Sequence, residues 1–592
     1  MLSYRKLAMR VLGRPLHTGG GGIDSPRPAS QRAAALVLTA AMLTTFTAPA
    51  FAKTWYIEDG DITISASETK GTNKVSQGAE PEVEDTGTII TNREKDASSH
   101  TVTINAGNDK VEVTLDNVNI KADSGSALIS KGDVTLTLKG DNHLTGGNGG
   151  SSSYGGDGIT SSGSLTISGG TVTATGGDST SSVGSGGSGI YSVSGDVTIS
   201  GGTVNANGGD GKNGSGGGSG IDSSGGVTVS GGTVTANGGD SKDGDGGSGG
   251  YGISSSGVAI SGGTVTANGG DGGSGSGSHG GNGIYSSGGV TISSGSTVTA
   301  NGGDGEDGSG GRGITSNGGV TVSGGTVNAK GGSGKNGNGG DGIRSFNPVA
   351  ISGGTVNANG GNSDYSNGGD GIRSLDHVAI SGGTVKSNGG SGNLSGGNGI
   401  ISYDIELSGS LELTAKAGSP NGKALSQNGI ELDPNTFKEK LDPGANIITK
   451  DADGKVIDQV SSPRPVEPEG PVIPEESSSS SDGGSATPSA PASPLPGLTV
   501  TDKDGQRISY TSIRGNNVLS LRVGRFTASL HASLSTLRQL RAEGIDTITF
   551  QTILCSTTLS VDELLAMGGE DTEVVLTHHI RSSTLTVGGK AV

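Results

Sequence analysis

A Gly-Ile pair recurs through the middle of this 592-residue chain about every 30 residues, and no compact globular fold produces such a pattern. The isoleucines stand at 159, 190, 221, 253, 284, 314, 343, 372, 400 and 430. A period of this length is typical of solenoids, in which each repeat forms one coil and buries its apolar residues against the neighbouring coils. We therefore predict an all-β protein, a right-handed parallel β-helix of about ten coils.

Each repeat continues with two short strands separated by a Gly-Gly pair, as in 197–200 and 203–207. Alternate strand residues face opposite sides, so equivalent apolar residues should form columns through the stack. One column comprises Ile167, Ile199, Val229, Ile260, Ile292, Val322, Ile351 and Ile380, and the other comprises Val172, Val204, Val234, Val265, Val298, Val327, Val356 and Val385. Glycine at the bends permits a positive φ.

An asparagine column is predicted at the bend after the second of these strands. Its members are Asn207, Asn237, Asn268, Asn301, Asn359 and Asn388. Asparagine tolerates the left-handed conformation, and stacked amides can bond from coil to coil, so we expect both features here.

Composition and charge narrow the class of protein. The chain has 118 glycines and only 3% aromatic residues, which favours thin stacked coils over a thick core. The net charge is −18, and residues 1–52 hold six Arg or Lys against one Asp, so the remainder carries about −23. This charge argues against nucleic acid and anionic membranes as partners.

Cys555 is the single cysteine, which excludes an internal disulfide; we expect it to pack as a small apolar residue.

The chain divides into five predicted segments. Residues 1–52 read as a signal peptide with cleavage after Ala52, since an apolar run ends in Ala-Phe-Ala; a membrane anchor is the alternative. Residues 53–131 should form an N-terminal cap and first coils, 132–460 the glycine-rich repeats, and 461–497 a disordered linker rich in Pro, Ser and Glu. The α+β domain at 498–592 is predicted to contain helices at 535–543 and 560–567 and strands at 545–550, 573–578 and 583–587. We expect a secreted or cell-surface protein without an integral membrane segment after processing.

A glycine-rich segment precedes each Gly-Ile pair and should form loops along one side of the solenoid. One aspartate recurs there at an equivalent position, in Asp178, Asp210, Asp240, Asp271 and Asp304. Stacked carboxylates repel one another unless a cation bridges them, and calcium prefers oxygen ligands, so we predict calcium at this row. The alternative is that these aspartates only form turns and maintain solubility.

A second candidate site is a tandem duplication, GGDGIRS at 339–345 and again at 368–374. It should place Arg344 over Arg373 on adjacent coils, with Asp341 and Asp370 nearby. Paired guanidinium groups bind carboxylate or sulfate, so we predict an acidic sugar as ligand, with the two aspartates as further calcium ligands. Two solvated ion pairs left by a duplication are the alternative.

Aromatic residues that could stack on sugars are scarce. Tyr191 and Tyr285 follow a Gly-Ile pair, at the position of Arg344 and Arg373 in their own coils. They are predicted to make minor contacts to a bound sugar, with recognition mainly polar or ionic.

The run VEVTLDNVNIKADSGSALISKGDVTLTLKGDNHLTGG at 111–147, followed by DGI and VTISGGTVTANGG units, resembles secreted carbohydrate-binding β-helix proteins of Gram-positive anaerobes. The resemblance spans roughly 54–446. It implies a pectate-lyase-like fold, bound calcium, and binding of cellulose or acidic plant polysaccharide without established lyase activity. The terminal domain resembles modules on other exported proteins of such bacteria.

Three functions remain open from the sequence. The first is extracellular polysaccharide binding without catalysis. A structural adhesin at the cell surface is the second. In the third, a polysaccharide lyase, Arg344 or Arg373 would remove a proton next to a uronate carboxylate.

Overall fold

A computed structural model describes residues 52–462 and 497–591, apart from 151–153, 181–183, 243–245, 276, 503–504, 509, 516, 524–526, 553–555, 570–571, 580–582 and 589. The predicted signal peptide up to residue 51, most of the predicted linker and Cys555 lie outside this part of the chain. The structure divides into two compact units between residues 468 and 469. No helix in the described part is long and apolar enough to cross a bilayer.

The first unit is a parallel β-solenoid of about 13 turns, which confirms the predicted fold class and corrects the count of ten. One buried column runs through the opening strand of every coil. Its members are Ile62, Val102, Leu128, Ile159, Ile190, Ile221, Ile253, Ile284, Ile314, Ile343, Ile372, Ile400 and Leu425. The first three coils and the last coil lack a Gly-Ile pair, so the dipeptide does not mark them.

Ile430 does not open a coil, contrary to the prediction. It lies on a short strand that returns antiparallel to the strand at Leu425, and 72% of its surface is exposed. A leucine five residues earlier fills the column instead.

The strands of the solenoid are short, except where two or three of them merge around a bend. Their bounds are Thr54–Tyr56, Ile62–Ala66, Asn73–Gln77, Val83–Asp85, Ile89–Thr91, Val102–Asp116, Asn119–Lys121, Leu128–Thr145, Ile159–Ser162, Leu165–Thr175, Ile190–Ser194, Val197–Ile199, Thr203–Asn207, Gly211–Lys212, Ile221–Val229, Thr233–Asn237, Ser241–Lys242, Ile253–Ile260, Gly263–Asn268, Ile284–Ser286, Val290–Ile292, Ser296–Asn301, Ile314–Ser316, Val320–Val322, Thr326–Lys330, Ile343–Ser345, Val349–Ile351, Thr355–Asn359, Ile372–Ser374, His377–Asn388, Ile400–Ser402, Asp404–Lys416, Leu425–Gln427, Ile430–Glu431, Asn446–Lys450 and Val456–Ser461. Two 3₁₀ helices span Ile57–Asp59 and Pro434–Lys440.

Both predicted apolar columns are present. All sixteen residues are almost completely buried, and each pairs with its predicted partner on the next coil. The second glycine of the Gly-Gly bend takes a positive φ, for example 79° at Gly202, as predicted. Sequence alternation therefore determines this part of the core.

The asparagine column forms an amide ladder. The side-chain nitrogens of Asn237, Asn268 and Asn301 each donate to the side-chain oxygen of the preceding asparagine at 2.8 Å. Asn388 donates in the same way to Asn359 at 2.7 Å. The left-handed conformation predicted for these residues is wrong, because each one ends a strand with extended backbone and none has a positive φ.

The ladder is interrupted at Lys330, which pairs with Asn301 on one side and Asn359 on the other. We expect Lys330→Asn to raise the free energy of unfolding by about 1 kcal/mol, because the new amide can bond to both neighbours. Thermal denaturation of this variant and of Lys330→Ala would distinguish the effect of the new amide hydrogen bonds from the effect of removing the lysine side chain. An equal gain in both variants would contradict the ladder as the cause.

Glycine forms a second ladder, made entirely of main chain. The N–H of each glycine in this ladder donates to the carbonyl of the preceding ladder glycine, at 2.7–2.9 Å. The ladder glycines come alternately from two segments of each coil, one directly after the third strand and the other just before the Gly-Ile pair. The ladder runs through Gly125, Gly147, Gly156, Gly177, Gly187, Gly209, Gly218, Gly239, Gly250, Gly270, Gly281, Gly303, Gly311, Gly332, Gly340, Gly361, Gly369, Gly390, Gly397 and Gly418. The two segments touch without side chains between them, so part of the region predicted as loop is closely packed backbone.

Both ends of the solenoid carry antiparallel strands that cover the exposed edges, as expected for a parallel stack. At the N-terminal end, Asn73–Gln77 pairs with Ile62–Ala66 and with Val83–Asp85. At the other end, Asn446–Lys450 pairs with Val456–Ser461, beside the 3₁₀ helix that buries Phe437.

The second unit is α+β. Its helices span Leu534–Ala542 and Val561–Leu565, close to the predicted ranges, and Ser560 caps the second helix as predicted. The strands are Leu498–Thr501, Thr511–Gly515, Val518–Arg522, Ala528–Ser533, Thr547–Gln551, Ser556–Ser560, Glu573–His578, Ser583–Val587 and Lys590–Ala591, in one five-stranded and one four-stranded sheet. Three of these strands were predicted.

Candidate functional site

Two positions beside the opening strand of each coil form a continuous strip along the solenoid, here called the first-strand strip. One is the residue directly after the buried column residue, and the other is the residue two before it. In the central coils the former are Thr160, Tyr191, Asp222, Ser254, Tyr285, Thr315, Arg344 and Arg373. The latter are Asp157, Ser188, Ser219, Tyr251, Asn282, Arg312, Asp341, Asp370 and Asn398. Strand register alone therefore brings distant parts of the chain together.

Arg344 and Arg373 lie side by side on adjacent coils, as predicted from the duplication. Each forms an ion pair within its own coil: Arg344 Nη1 lies 3.6 Å from Asp341 Oδ2, and Arg373 Nη1 lies 3.1 Å from Asp370 Oδ2. Arg312 of the preceding coil also reaches Asp341 Oδ2, at 3.5 Å from its Nε. Three guanidinium groups thus surround two carboxylates.

These five side chains line one cavity of about 150 Å³, here called the arginine cavity. The Nε atoms of Arg344 and Arg373 are buried and have no hydrogen-bond partner among the described residues. A buried N–H group without a partner is costly. The three arginine side chains that line the cavity keep part of their surface exposed, so an anion in the cavity can contact them.

The aspartates of this cavity are held by the main chain. Asp341 Oδ1 accepts from the N–H of Asp370 at 2.9 Å, and Asp370 Oδ1 accepts from the N–H of Asn398 at 2.6 Å. Burial, followed by the neighbouring charge of Asp341, raises the pKa of Asp370 to about 6. Burial and the charges of the adjacent arginines lower the pKa of Arg344. The local positive charge therefore increases when Asp370 takes up a proton.

An aromatic pair lies beside the arginine cavity on the same strip. The rings of Tyr251 and Tyr285 stack with their centroids 5.4 Å apart at an angle of 18°. Tyr251 lines a second cavity of about 360 Å³, which meets the arginine cavity at Ser309, Gly310 and Arg312. Tyr191 lies three coils away from Tyr285, so the structure does not group these two predicted residues.

A third cavity, of about 150 Å³, continues the strip beyond Arg373. Leu375, Tyr403 and Asn428 contribute to its lining. Arg373 and Arg312 therefore each belong to two adjoining cavities, and the three cavities follow one another from Tyr251 to Tyr403. This length suits an extended ligand that lies along the strip.

Arg312 and Tyr251 were not predicted as site residues. Both stand two residues before a Gly-Ile isoleucine, the position that Asp341 and Asp370 occupy in their coils. Aligning the repeats on that isoleucine and comparing this column would have identified both residues.

The aspartate row at 178, 210, 240, 271 and 304 is regular, as predicted, but each carboxylate already has a partner. Its Oδ1 atom accepts the main-chain N–H of the equivalent residue on the next coil at 2.6–3.0 Å. Lys212 lies 3.6 Å from Asp178, and Lys242 pairs with Asp210. Burial, followed by the charges of the flanking aspartates, raises the pKa of Asp271.

Within the part of the chain that the structure describes, no three His, Cys, Asp or Glu side chains converge to hold a metal ion. Asp341 and Asp370 lie in a different row and face arginine side chains. Calcium binding stays a prediction from the sequence, and the site is interpreted without it.

A model of the β-helix repeat family matches four segments of the chain, residues 165–189, 197–219, 258–282 and 349–372. All four lie within the solenoid and contain its glycine ladder and apolar columns. Neither a curated protein nor a solved structure matches the chain.

Proposed function

We propose that this β-helix repeat protein binds acidic polysaccharide outside the cell, along the first-strand strip from Tyr251 to Arg373 and the adjoining cavity that contains Tyr403. The observation that carries the proposal is the arginine cavity, in which three partly exposed guanidinium groups from adjacent coils line one space. Carboxylate and sulfate groups are planar or tetrahedral anions that accept the paired N–H bonds of guanidinium.

The shape of the strip supports a polymer as ligand. Each of the three cavities is lined by about three adjacent coils, which lie about 4.8 Å apart, so together they follow the stacking direction of the coils. The stacked tyrosines offer an apolar ring face on one side of the arginines. A chain of sugar rings with regularly spaced anionic groups meets both features, whereas a free anion uses only the arginines.

Retention on immobilised polysaccharides tests the proposal. The protein should bind uronate-rich and sulfated polymers and should not bind neutral ones, in buffers with calcium and with chelator. Failure to bind any acidic polymer would overturn the proposal and favour a structural adhesin. Loss of binding in chelator alone would restore calcium as a required ligand.

A polysaccharide lyase is the second candidate, because the lowered pKa of Arg344 favours a role in proton removal. We expect binding without cleavage of the polysaccharide. Ultraviolet absorbance of unsaturated sugars, followed in the same samples, distinguishes the two functions.

Binding should strengthen as the pH falls through about 6, the pKa of Asp370. Above this pH the ionised carboxylate repels an anionic ligand, and below it the neutral carboxyl leaves the three arginines unopposed except by Asp341. We expect a gain of about 1 kcal/mol, roughly fivefold in affinity, between pH 7 and pH 5. A sulfated polysaccharide should be used, because its own charge does not change in this range.

The Asp370→Asn variant provides the control for this pH dependence. Its amide oxygen can still accept the N–H of Asn398, but the side chain no longer titrates. The variant should bind at pH 7 as tightly as the unaltered protein does at pH 5. An unchanged pH profile in the variant would assign the effect to another group.

A further inference from the structure

A buried carboxylate in the N-terminal cap contacts the first residues of the described chain. Asp85 is only 1% exposed. Its Oδ1 atom lies 3.0 Å from the main-chain nitrogen of Lys53, and its Oδ2 atom accepts from Trp55 Nε1 at 2.8 Å. Among the described residues, no side-chain cation lies within ion-pair distance of this carboxylate.

The Lys53 nitrogen is also the nitrogen of the bond at which the sequence predicts signal-peptide cleavage. Before cleavage it is a neutral amide that donates a single hydrogen bond. After cleavage it is an α-amino group, which is positively charged with an ordinary pKa of about 7.7–8.0. The chemical change thus occurs at the atom that already touches Asp85.

We propose that cleavage between Ala52 and Lys53 creates an ion pair between the new α-ammonium group and the buried carboxylate of Asp85, and so completes the N-terminal cap. A signal peptidase adds one water molecule across the amide, leaving a carboxylate on Ala52 and an ammonium on Lys53. No oxidant or other reactant is needed. The inference depends on the predicted processing site and is independent of polysaccharide binding.

The burial of Asp85 favours the charged state of the Lys53 nitrogen over the amide as its partner. An amide donor offsets part of the desolvation of the Asp85 carboxylate, whereas an ammonium also neutralises its charge. The pair anchors the first strand, Thr54–Tyr56, which aligns with Ile89–Thr91 and buries Trp55. The cap therefore reaches its final stability only after export.

Removal of Ala52 also opens space next to the pair. Ala52 contributes to a cavity of about 530 Å³, and its Cβ atom lies close to Gly87. The titratable groups around the Lys53 nitrogen are Asp85, the Lys53 side chain over the Trp55 ring, Asp59, and the cavity residues Lys70, Lys110 and Glu112. Asp85 alone of these contacts the nitrogen itself.

The reactivity of the α-amine tests the proposal. Two full-length chains are compared, one beginning at Lys53 and one beginning at Ala52, with acetic anhydride as the probe and mass spectrometry as the readout. We expect the α-amine of Lys53 to react at least tenfold more slowly than that of Ala52 near pH 8, because pairing raises its pKa and hinders access. Equal rates would overturn the proposal, and this comparison requires no substitution at Asp85.

Asp85→Asn gives a second, independent measurement. In the chain beginning at Lys53 the variant should restore rapid acetylation and lower the melting temperature. In the chain beginning at Ala52 the drop in melting temperature should be smaller. Asp96→Asn, which removes an exposed acid of the same cap, should change neither quantity. An exported protein whose N-terminus is not Lys53, found by N-terminal sequencing, would also overturn the proposal.

Discussion

Replacing Gly218 with alanine should lower the free energy of unfolding of the solenoid by at least about 3 kcal/mol. A Cβ atom at this position would lie 2.0 Å from the carbonyl oxygen of Gly187, well inside van der Waals contact. The obstacle is main chain that is itself bonded into the glycine ladder, so it cannot rotate away as a side chain can. The clash can be relieved only if the two coils move apart, and this movement breaks main-chain hydrogen bonds of both coils.

Gly201 provides the matched control. It lies in a bend of the same region and has open space around the position of a Cβ atom. Gly201→Ala should therefore change the stability by less than about 0.5 kcal/mol. Urea denaturation followed by circular dichroism would measure both variants. Similar stabilities for the two would show that the ladder tolerates side chains and that glycine serves another purpose there.

The glycine ladder also shows why the sequence predicted some features and not others. Apolar alternation has a direct structural meaning, so the columns through Ile199 and Val204 could be predicted residue by residue. Glycine carries no such information, because the same residue serves flexible loops, bends and close packing. The contact between Gly218 and Gly187 depends on how two segments of different coils meet, which strand periodicity does not specify.

The count of coils was wrong for a related reason. The Gly-Ile pair marks a coil only where a glycine precedes the buried residue of the opening strand. In coils near the two ends that buried residue is Val102, Leu128 or Leu425, and no glycine precedes it. Ile430 has the motif but follows a turn that reverses the chain. Local sequence cannot show that reversal, since the antiparallel pairing depends on the closing of the stack.

The candidate site was predictable in its centre and not in its extent. An exact duplication placed Arg344 over Arg373 because register follows directly from the repeat length. Arg312 joins them through a different strand position, and its contact with Asp341 depends on side-chain reach. The aspartate row was also predicted, yet its use of main-chain N–H groups as partners became visible only in three dimensions.

Replacing both Arg344 and Arg373 with glutamine should weaken binding of acidic polysaccharide by about 100-fold. Hydrogen bonds to charged groups contribute about 1.5–3 kcal/mol each, and the two side chains provide the central contacts of the arginine cavity. Arg344→Lys should give a smaller loss, because it keeps the charge but not the paired N–H groups. Titration calorimetry with one sulfated oligosaccharide would measure all three proteins.

Lys335→Gln is the control for general charge attraction. Lys335 is exposed in the glycine-rich segment before Arg344, and its side chain does not line the arginine cavity. Loss of its charge should leave the affinity within about twofold, since isolated surface charges contribute little at physiological salt. If this variant and the double variant lost affinity equally, binding would follow the net charge of the surface rather than the geometry of the cavity. If the double variant bound normally while remaining folded, the polysaccharide would have to lie elsewhere on the solenoid.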